Sequence, residues 1–169
     1  ACLMAPTEIL ATQHYESLSQ MCEKIGVKIA LLTGSTKKKD REWISDQLVS
    51  GELQILVGTH ALIEDTVQFH NLGLAIIDEQ HRFGVNQRAL LSQKGRNPDI
   101  LVMTATPIPR TLAVILYGDL DISVIDALPQ GRKPIRTFSR NREARDKIYD
   151  FVWQQVKSGR QAYVVAPLI

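Results

Sequence analysis

Short apolar runs alternate along the chain with stretches in which apolar residues return every three or four positions. The runs fall at 1–5, 27–32, 53–57, 74–77 and 100–103. Each is too short for a buried helix and suits a strand covered on both faces. Between the first two runs, Leu10, His14, Leu18, Met21 and Ile25 repeat at helical spacing. Pro6 stops the preceding strand, Thr7 can cap this helix, and Gly26 suits its end. A more polar helix is expected over about 37–50, with Trp43, Ile44 and Leu48 facing inward and Gly51 ending it. Strands alternating with helices predict an α/β fold with a parallel sheet covered by helices on both faces.

The texture changes at Pro129-Gln130-Gly131-Arg132-Lys133-Pro134. Two prolines, a glycine and two cations over so short a span read as a linker. Beyond it a strand at 135–139, a helix over about 143–158 and a strand at 161–168 are expected as the opening of a second domain. The organisation is therefore a first domain over 1–128, a linker at 129–134 and the beginning of another domain over 135–169.

Composition narrows the classes. With 44% hydrophobic and 22% charged residues, the 169-residue chain is globular in character. A net charge of +2 does not make it a basic nucleic-acid binder overall, so any contact with DNA has to come from local patches. Two cysteines, Cys2 and Cys22, show no metal spacing and are read as reduced thiols. No apolar run is long enough to span a bilayer, so no membrane partner is expected. The apolar start without a charged segment before it suggests a fragment rather than a signal peptide.

The chemistry gathers where strands end. In parallel sheets ligands collect at the carboxyl ends of the strands, and here those ends carry small, polar or acidic residues: Thr33-Gly34-Ser35, Gly58-Thr59-His60, Asp78-Glu79-Gln80-His81 and Thr104-Ala105-Thr106-Pro107. Nucleotide hydrolysis needs a carboxylate near Mg²⁺ and a group that orients or deprotonates the attacking water. Asp78 can hold the magnesium shell through water while Glu79 acts on the attacking water, and His81 can sense the nucleotide. Taken alone, Asp78-Glu79 also fits an acidic helix start. The hydroxyls of Thr104 and Thr106, at the end of the next strand, can bond the acidic motif and relay the state of the nucleotide, although alone they also fit an ordinary turn.

Together these strings resemble the motor motifs of superfamily 2 helicases. Asp78-Glu79-Gln80-His81 is similar to motif II, TATPIPRT at 104–111 to motif III, and Ala5-Pro6-Thr7-Glu8-Ile9-Leu10-Ala11 to motif Ia. The longer strings DEQHRFGVNQR, MTATPIPRTLA and GDLDISVIDALPQGRKPI resemble the bacterial helicases of this superfamily that act on branched DNA. The transcription-repair coupling translocases share HRFGV and TATPIPRTL, but usually carry Glu where Gln80 stands and lack the LPQGRKP-like segment. They are the second choice.

The resemblance covers essentially the whole chain. It implies a RecA-like P-loop NTPase sheet, here incomplete, followed by the start of a second RecA-like domain. It also implies ATP and Mg²⁺ as cofactors, forked or branched DNA as partner, a role in repair and recombination, and a bacterial cytoplasmic, nucleoid-associated location. Gln80 joins His81, Thr104 and Thr106 in nucleotide-state coupling. Thr7, Glu8, Thr33, Gly34, Ser35, Thr59 and His60 are expected to line the track of one DNA strand. The physics is reasonable: a helix start favours a phosphate, and small residues let a backbone approach without reading sequence. Alone, Thr7 reads as a cap and Thr33–Ser35 as a tight turn. Arg110 is a candidate for DNA contact, for contact with the second domain, or for a surface cap.

Lys37-Lys38-Lys39 and Arg41 form either a solvated helix start or a phosphate contact, His14 is expected at a helix interface, and His70 in a loop. The phosphate-cradling string G-x-x-x-x-G-K-[ST] is absent from these residues. The chain is expected to begin at about the strand that follows that loop. As isolated it would then be an inactive nucleic-acid-binding fragment, with an apolar sheet edge near 101–103 that invites self-association.

Overall fold

The computed structural model describes residues 1–79, 85–105, 121–127, 129, 131–132 and 134–166. The chain divides into two compact units, Ala1–Leu120 and Asp121–Ile169.

The first unit is built on five parallel strands: β1 (Cys2–Met4), β2 (Ile29–Leu32), β3 (Ile55–Gly58), β4 (Leu74–Ile77) and β5 (Asp99–Val102). Their spatial order is β2-β3-β1-β4-β5. β1 lies at the centre, with Leu3 opposite Val57 on one side and Ile76 on the other. Alternation along the strands divides the interior into two layers. Cys2, Met4, Leu56, Ala75 and Ile77 face one side and pack with Ile44, Leu48, Leu62, Leu72 and Leu91. Leu3, Ala5, Val57 and the partly buried Ile76 face the other and pack with Ala11, Leu10 and Leu18. The two faces are thus both apolar, which is why the strands read as continuous runs rather than as an alternating pattern.

Helix α1 (Glu8–Lys24) covers the second layer. Thr7 is its N-cap, the hydroxyl accepting from the Leu10 amide at 3.3 Å, and Gly26 at φ +69° turns the chain out after it. The inward face differs from the expected one. Met21 and Ile25 are 61% and 74% exposed, and Ala11 and Cys22 are the buried positions. Leu10 and Leu18 pack with Ala11 on this layer, so the expected stripe holds in the first half of the helix and is lost to solvent at Met21 and Ile25. Helix α2 (Lys38–Val49) covers the first layer through Ile44 and Leu48, whereas Trp43 points outward at 52% exposure. A short 3-10 turn, His60–Ile63, follows β3 and buries Ala61 and Leu62. Helix α3 (Val85–Ser92) precedes β5 and contributes the buried Leu91.

Gly58 has a packing reason. A Cβ there would lie 2.0 Å from the Leu32 carbonyl oxygen, so only glycine lets β3 close against β2 at this point. Burial pushes the Cys2 thiol up to about 12, leaving it an apolar core residue. At the β5 edge Leu101 is 48% exposed, and among the described residues no strand pairs beyond it. No helix among the described residues is long and apolar enough to cross a membrane.

The second unit contains a 3-10 turn, Arg142–Ala144, running into helix α4 (Arg145–Lys157). Ile148, Tyr149, Phe151 and Trp153 are exposed along it, with Arg145 over the Tyr149 ring and Lys157 over that of Trp153. Where strands are expected at 135–139 and 161–168, the described residues 135–139 and 161–166 are neither strand nor helix. A strand exists only through a ladder with a neighbour, and no partner is paired with either segment among the described residues.

Candidate functional site

Because all five strands run parallel, their carboxyl ends form a single rim, and backbone bonds continue the ladder into it. The Thr59 amide donates to the Leu32 carbonyl (3.2 Å), Ala5 to Gly58 (2.9 Å), Asp78 to Met4 (2.9 Å) and Met103 to Ile77 (2.8 Å). The loops carrying Thr33, Thr59, Thr7, Asp78 and Thr104 therefore stand side by side in the order of the strands. At about 4.8 Å per strand, Asp78 lies on the order of 14 Å from the loop after β2. A cleft of about 630 Å³ is lined by Phe69–Leu72 and Gln93–Arg96, which lead into β4 and β5. It lies at the opposite rim, away from these groups.

The acidic pair caps β4. The Asp78 carboxylate is held at both oxygens: Oδ1 accepts from the Glu79 amide at 2.9 Å, and Oδ2 lies 2.8 Å from Nε2 of His14 on α1. Both side chains are partly open, 31% for His14 and 20% for Asp78. Glu79 sits at φ +50°, a left-handed conformation uncommon for a residue with a side chain. Backbone of this kind is found where a side chain must be aimed off the regular path. Sequence reasoning assigned His14 to a helix interface and missed its carboxylate partner. The contact spans 64 positions, and no local spacing announces it.

The loop after β2 is organised differently. Thr33 is buried, and its hydroxyl lies 3.0 Å from Ser35 Oγ, while its amide donates to Thr36 Oγ1 at 2.9 Å. Arg41 donates to the Thr33 carbonyl at 2.7 Å, to the Thr36 carbonyl at 3.2 Å and to Glu64 at 3.0 Å. Arg41 is thus committed inside the protein and stands apart from the exposed Lys37, Lys38 and Lys39. Glu8, in the first turn of α1, accepts from the Ser35 amide at 3.0 Å. That amide, followed by the Thr33 and Ser35 hydroxyls, holds the Glu8 carboxyl below its usual range. Thr59 is buried too, and its hydroxyl has no hydrogen-bond partner among the described residues.

Of the proposed strand-contact residues, Thr7, Glu8, Gly34, Ser35 and His60 are exposed along this rim, and Thr33 and Thr59 lie beneath it. Thr104 is exposed at the end of β5. Gln80, His81, Thr106 and Arg110 lie outside the described residues.

The donor set is suited to a hydrated divalent cation. Among the described residues no cluster of three or more His, Cys, Asp or Glu could hold a metal by itself. Magnesium commonly takes one or two protein carboxylates and completes its shell with water and substrate phosphate, and the partly open Asp78 beside Glu79 meets that requirement.

A family model described as DEAD/DEAH box helicase matches residues 1–115. The chain is 56% identical over 167 residues to the ATP-dependent DNA helicase RecG of Bacillus subtilis (strain 168), covering 99% of this chain and 24% of that protein. It is 54% identical over 169 residues to the protein of the same name from Synechocystis, covering 100% of this chain and 20% of the relative. The chain therefore spans about a quarter or less of the length of these relatives. Among solved structures, the helicase MrfA bound to DNA and AMPPNP aligns with a TM-score of 0.53 at 20% identity, over 69% of this chain and 19% of that one. The yeast DEAD-box splicing factor Prp28 aligns with a TM-score of 0.52 at 20% identity, over 69% and 30%. At these identities the likeness is one of fold.

Proposed function

The chain belongs to the DEAD/DEAH box helicase family, and from that premise we propose that it is the central motor segment of an ATP-driven DNA helicase of the RecG kind. Residues 1–128 form most of the first motor domain, 129–134 the linker and 135–169 the beginning of the second domain. The activity is ATP hydrolysis coupled to movement along DNA and remodelling of forked and recombining duplexes in the bacterial cytoplasm, at the nucleoid.

The observation that carries this reading is the Asp78–Glu79 pair at the carboxyl end of β4, next to the central strand, with Asp78 held at both oxygens. A magnesium ion held by Asp78 through water would neutralise charge on the transferring phosphoryl group. Glu79 orients the attacking water and takes its proton, a role worth about 10²- to 10⁴-fold in rate. Gln80, His81, Thr104 and Thr106 relay the state of the nucleotide to the rest of the rim. Thr7, Glu8, Gly34, Ser35 and His60 offer backbone and short side chains to one DNA strand, with Thr33 and Thr59 shaping the loops from below and Arg110 contributing at the motif III end. Such contacts position a strand without sequence preference.

These 169 residues contain no G-x-x-x-x-G-K-[ST] string, so the phosphate cradle has to be supplied by other parts of the protein. As an isolated piece the chain is expected to hydrolyse no ATP, and its β5 edge is a candidate for self-association. The test is unwinding of a synthetic forked DNA by the full-length protein that carries this chain. Strand separation that requires both ATP and Mg²⁺, and that prefers the fork to a blunt duplex of equal length, is expected. Hydrolysis without strand separation on any fork would favour the duplex-tracking translocase reading.

A further inference from the structure

The acidic motif has a partner that motif spacing does not assign. His14 stands on α1, seven positions beyond the Thr7 cap, and its Nε2 meets Asp78 Oδ2 at 2.8 Å. An ionised carboxylate only accepts, so the ring donates from Nε2. The Glu79 amide holds the other oxygen at 2.9 Å. A carboxylate fixed at both oxygens cannot turn about its side-chain torsions, so its approach to a cation's water shell is set before the cation arrives. The helix that brings the ring is itself anchored, with Ala11 packed against the sheet and Cys22 buried. Releasing the ring would leave Asp78 held on one side only and free to choose among rotamers.

We propose that His14 is a positioning residue for the nucleotide-bound divalent cation, acting through the orientation of the Asp78 carboxylate. The inference rests on the reading of Asp78 given above. Partners of this kind, which orient a ligand without touching the metal, typically change metal affinity or activity about 10- to 100-fold when removed.

The test uses the full-length protein with Mn²⁺ and ATP. Bound Mn²⁺ is measured by electron paramagnetic resonance, alongside the Mn²⁺ dependence of hydrolysis at saturating ATP and DNA. His14→Ala is expected to weaken Mn²⁺ binding in the presence of ATP about tenfold and to raise the half-activating Mn²⁺ concentration in parallel. Nucleotide-free DNA binding and the unfolding temperature should stay near those of the parent. His14→Gln, whose amide can donate to Asp78, should recover most of the affinity, which a merely space-filling role would not produce. Wild-type Mn²⁺ affinity in His14→Ala would overturn the proposal, as would equal losses in the Ala and Gln variants. If His14→Ala does not fold, His14→Gln and His14→Leu decide it: affinity kept in the first and lost in the second is expected, and equal affinities overturn it. Asp78→Asn in the same assay separates the two levels of inference. If it binds Mn²⁺ normally, the reading of Asp78 itself fails. If it loses Mn²⁺ while His14→Ala keeps it, only the role of His14 fails.

Discussion

The loop after β2 and the turn after β4 leave the same rim of the same sheet, and both are tied to α1. Their ties differ in kind. The loop after β2 is locked from inside: Thr33 is buried, Arg41 holds two of its carbonyls, and only the Glu8 contact to Ser35 faces solvent. The turn after β4 carries the Asp78 carboxylate partly open, with one side chain, His14, reaching it from α1. A surface that meets a DNA backbone needs a fixed shape, and internal hydrogen bonds provide it. A carboxylate that meets a hydrated cation needs a fixed direction while staying accessible, and two-point retention provides that. Helix α1 serves both, with Glu8 at its first turn and His14 six residues further, about 9 Å along the axis.

Breaking what the two loops share should have the largest effect. Gly58→Ala places a methyl 2.0 Å from the Leu32 carbonyl oxygen, so β2 and β3 cannot keep their register at the rim. A loss of about 3 kcal/mol, or roughly 10 °C in a thermal melt, is expected. An unchanged melting temperature would mean that the close approach is not a feature of the protein in solution.

Arg41→Met separates the two loops more selectively. It removes the guanidinium donors to the Thr33 and Thr36 carbonyls and to Glu64, leaving these partly buried acceptors with fewer partners. About 2 kcal/mol of stability should be lost, with DNA affinity reduced and the binding of ATP and Mg²⁺ retained. Equal losses of DNA and nucleotide binding would show that the two loops are not separately built.

The smallest effect concerns Glu8. Its folded carboxyl titrates below the usual range because the Ser35 amide and the neighbouring hydroxyls favour the charged form. A depressed folded value means that the contact is fully present above the unfolded value and is lost as pH falls through the folded one. The Ser35 amide resonance should therefore move with a midpoint below that of an ordinary glutamate and stop moving in Glu8→Gln. A midpoint at or above the ordinary value would remove the contact from the account. Full exposure and screening make any accompanying stability change minor.

The sheet was legible because its signal is local. Each apolar run is bounded by glycine, proline or polar residues, and the expected strand at 74–77 matches β4 at Leu74–Ile77. The helices were legible as elements but not by face. Period alone cannot tell that α1 presses Ala11 on the sheet and leaves Met21 and Ile25 in solvent, because that choice depends on how closely the helix approaches its neighbours. The acidic pair could be named as a candidate because it ends a strand. Its His14 partner could not, since a contact across 64 positions exists only after α1 has docked. Arg41 was misleading for the same reason: a cation among lysines reads as surface, yet its guanidinium turns inward to carbonyls that only the folded loop presents.

We propose above all that Asp78 and Glu79 perform the hydrolytic chemistry of an ATP-driven motor on DNA. The most direct test is ATP hydrolysis by the full-length protein carrying Glu79→Gln, measured at saturating DNA together with ATP and DNA binding. Hydrolysis reduced by at least about a hundredfold, with both ligands still bound, is the expected result. Hydrolysis at the parental rate would contradict the assignment of Glu79 and, with it, the account of the site.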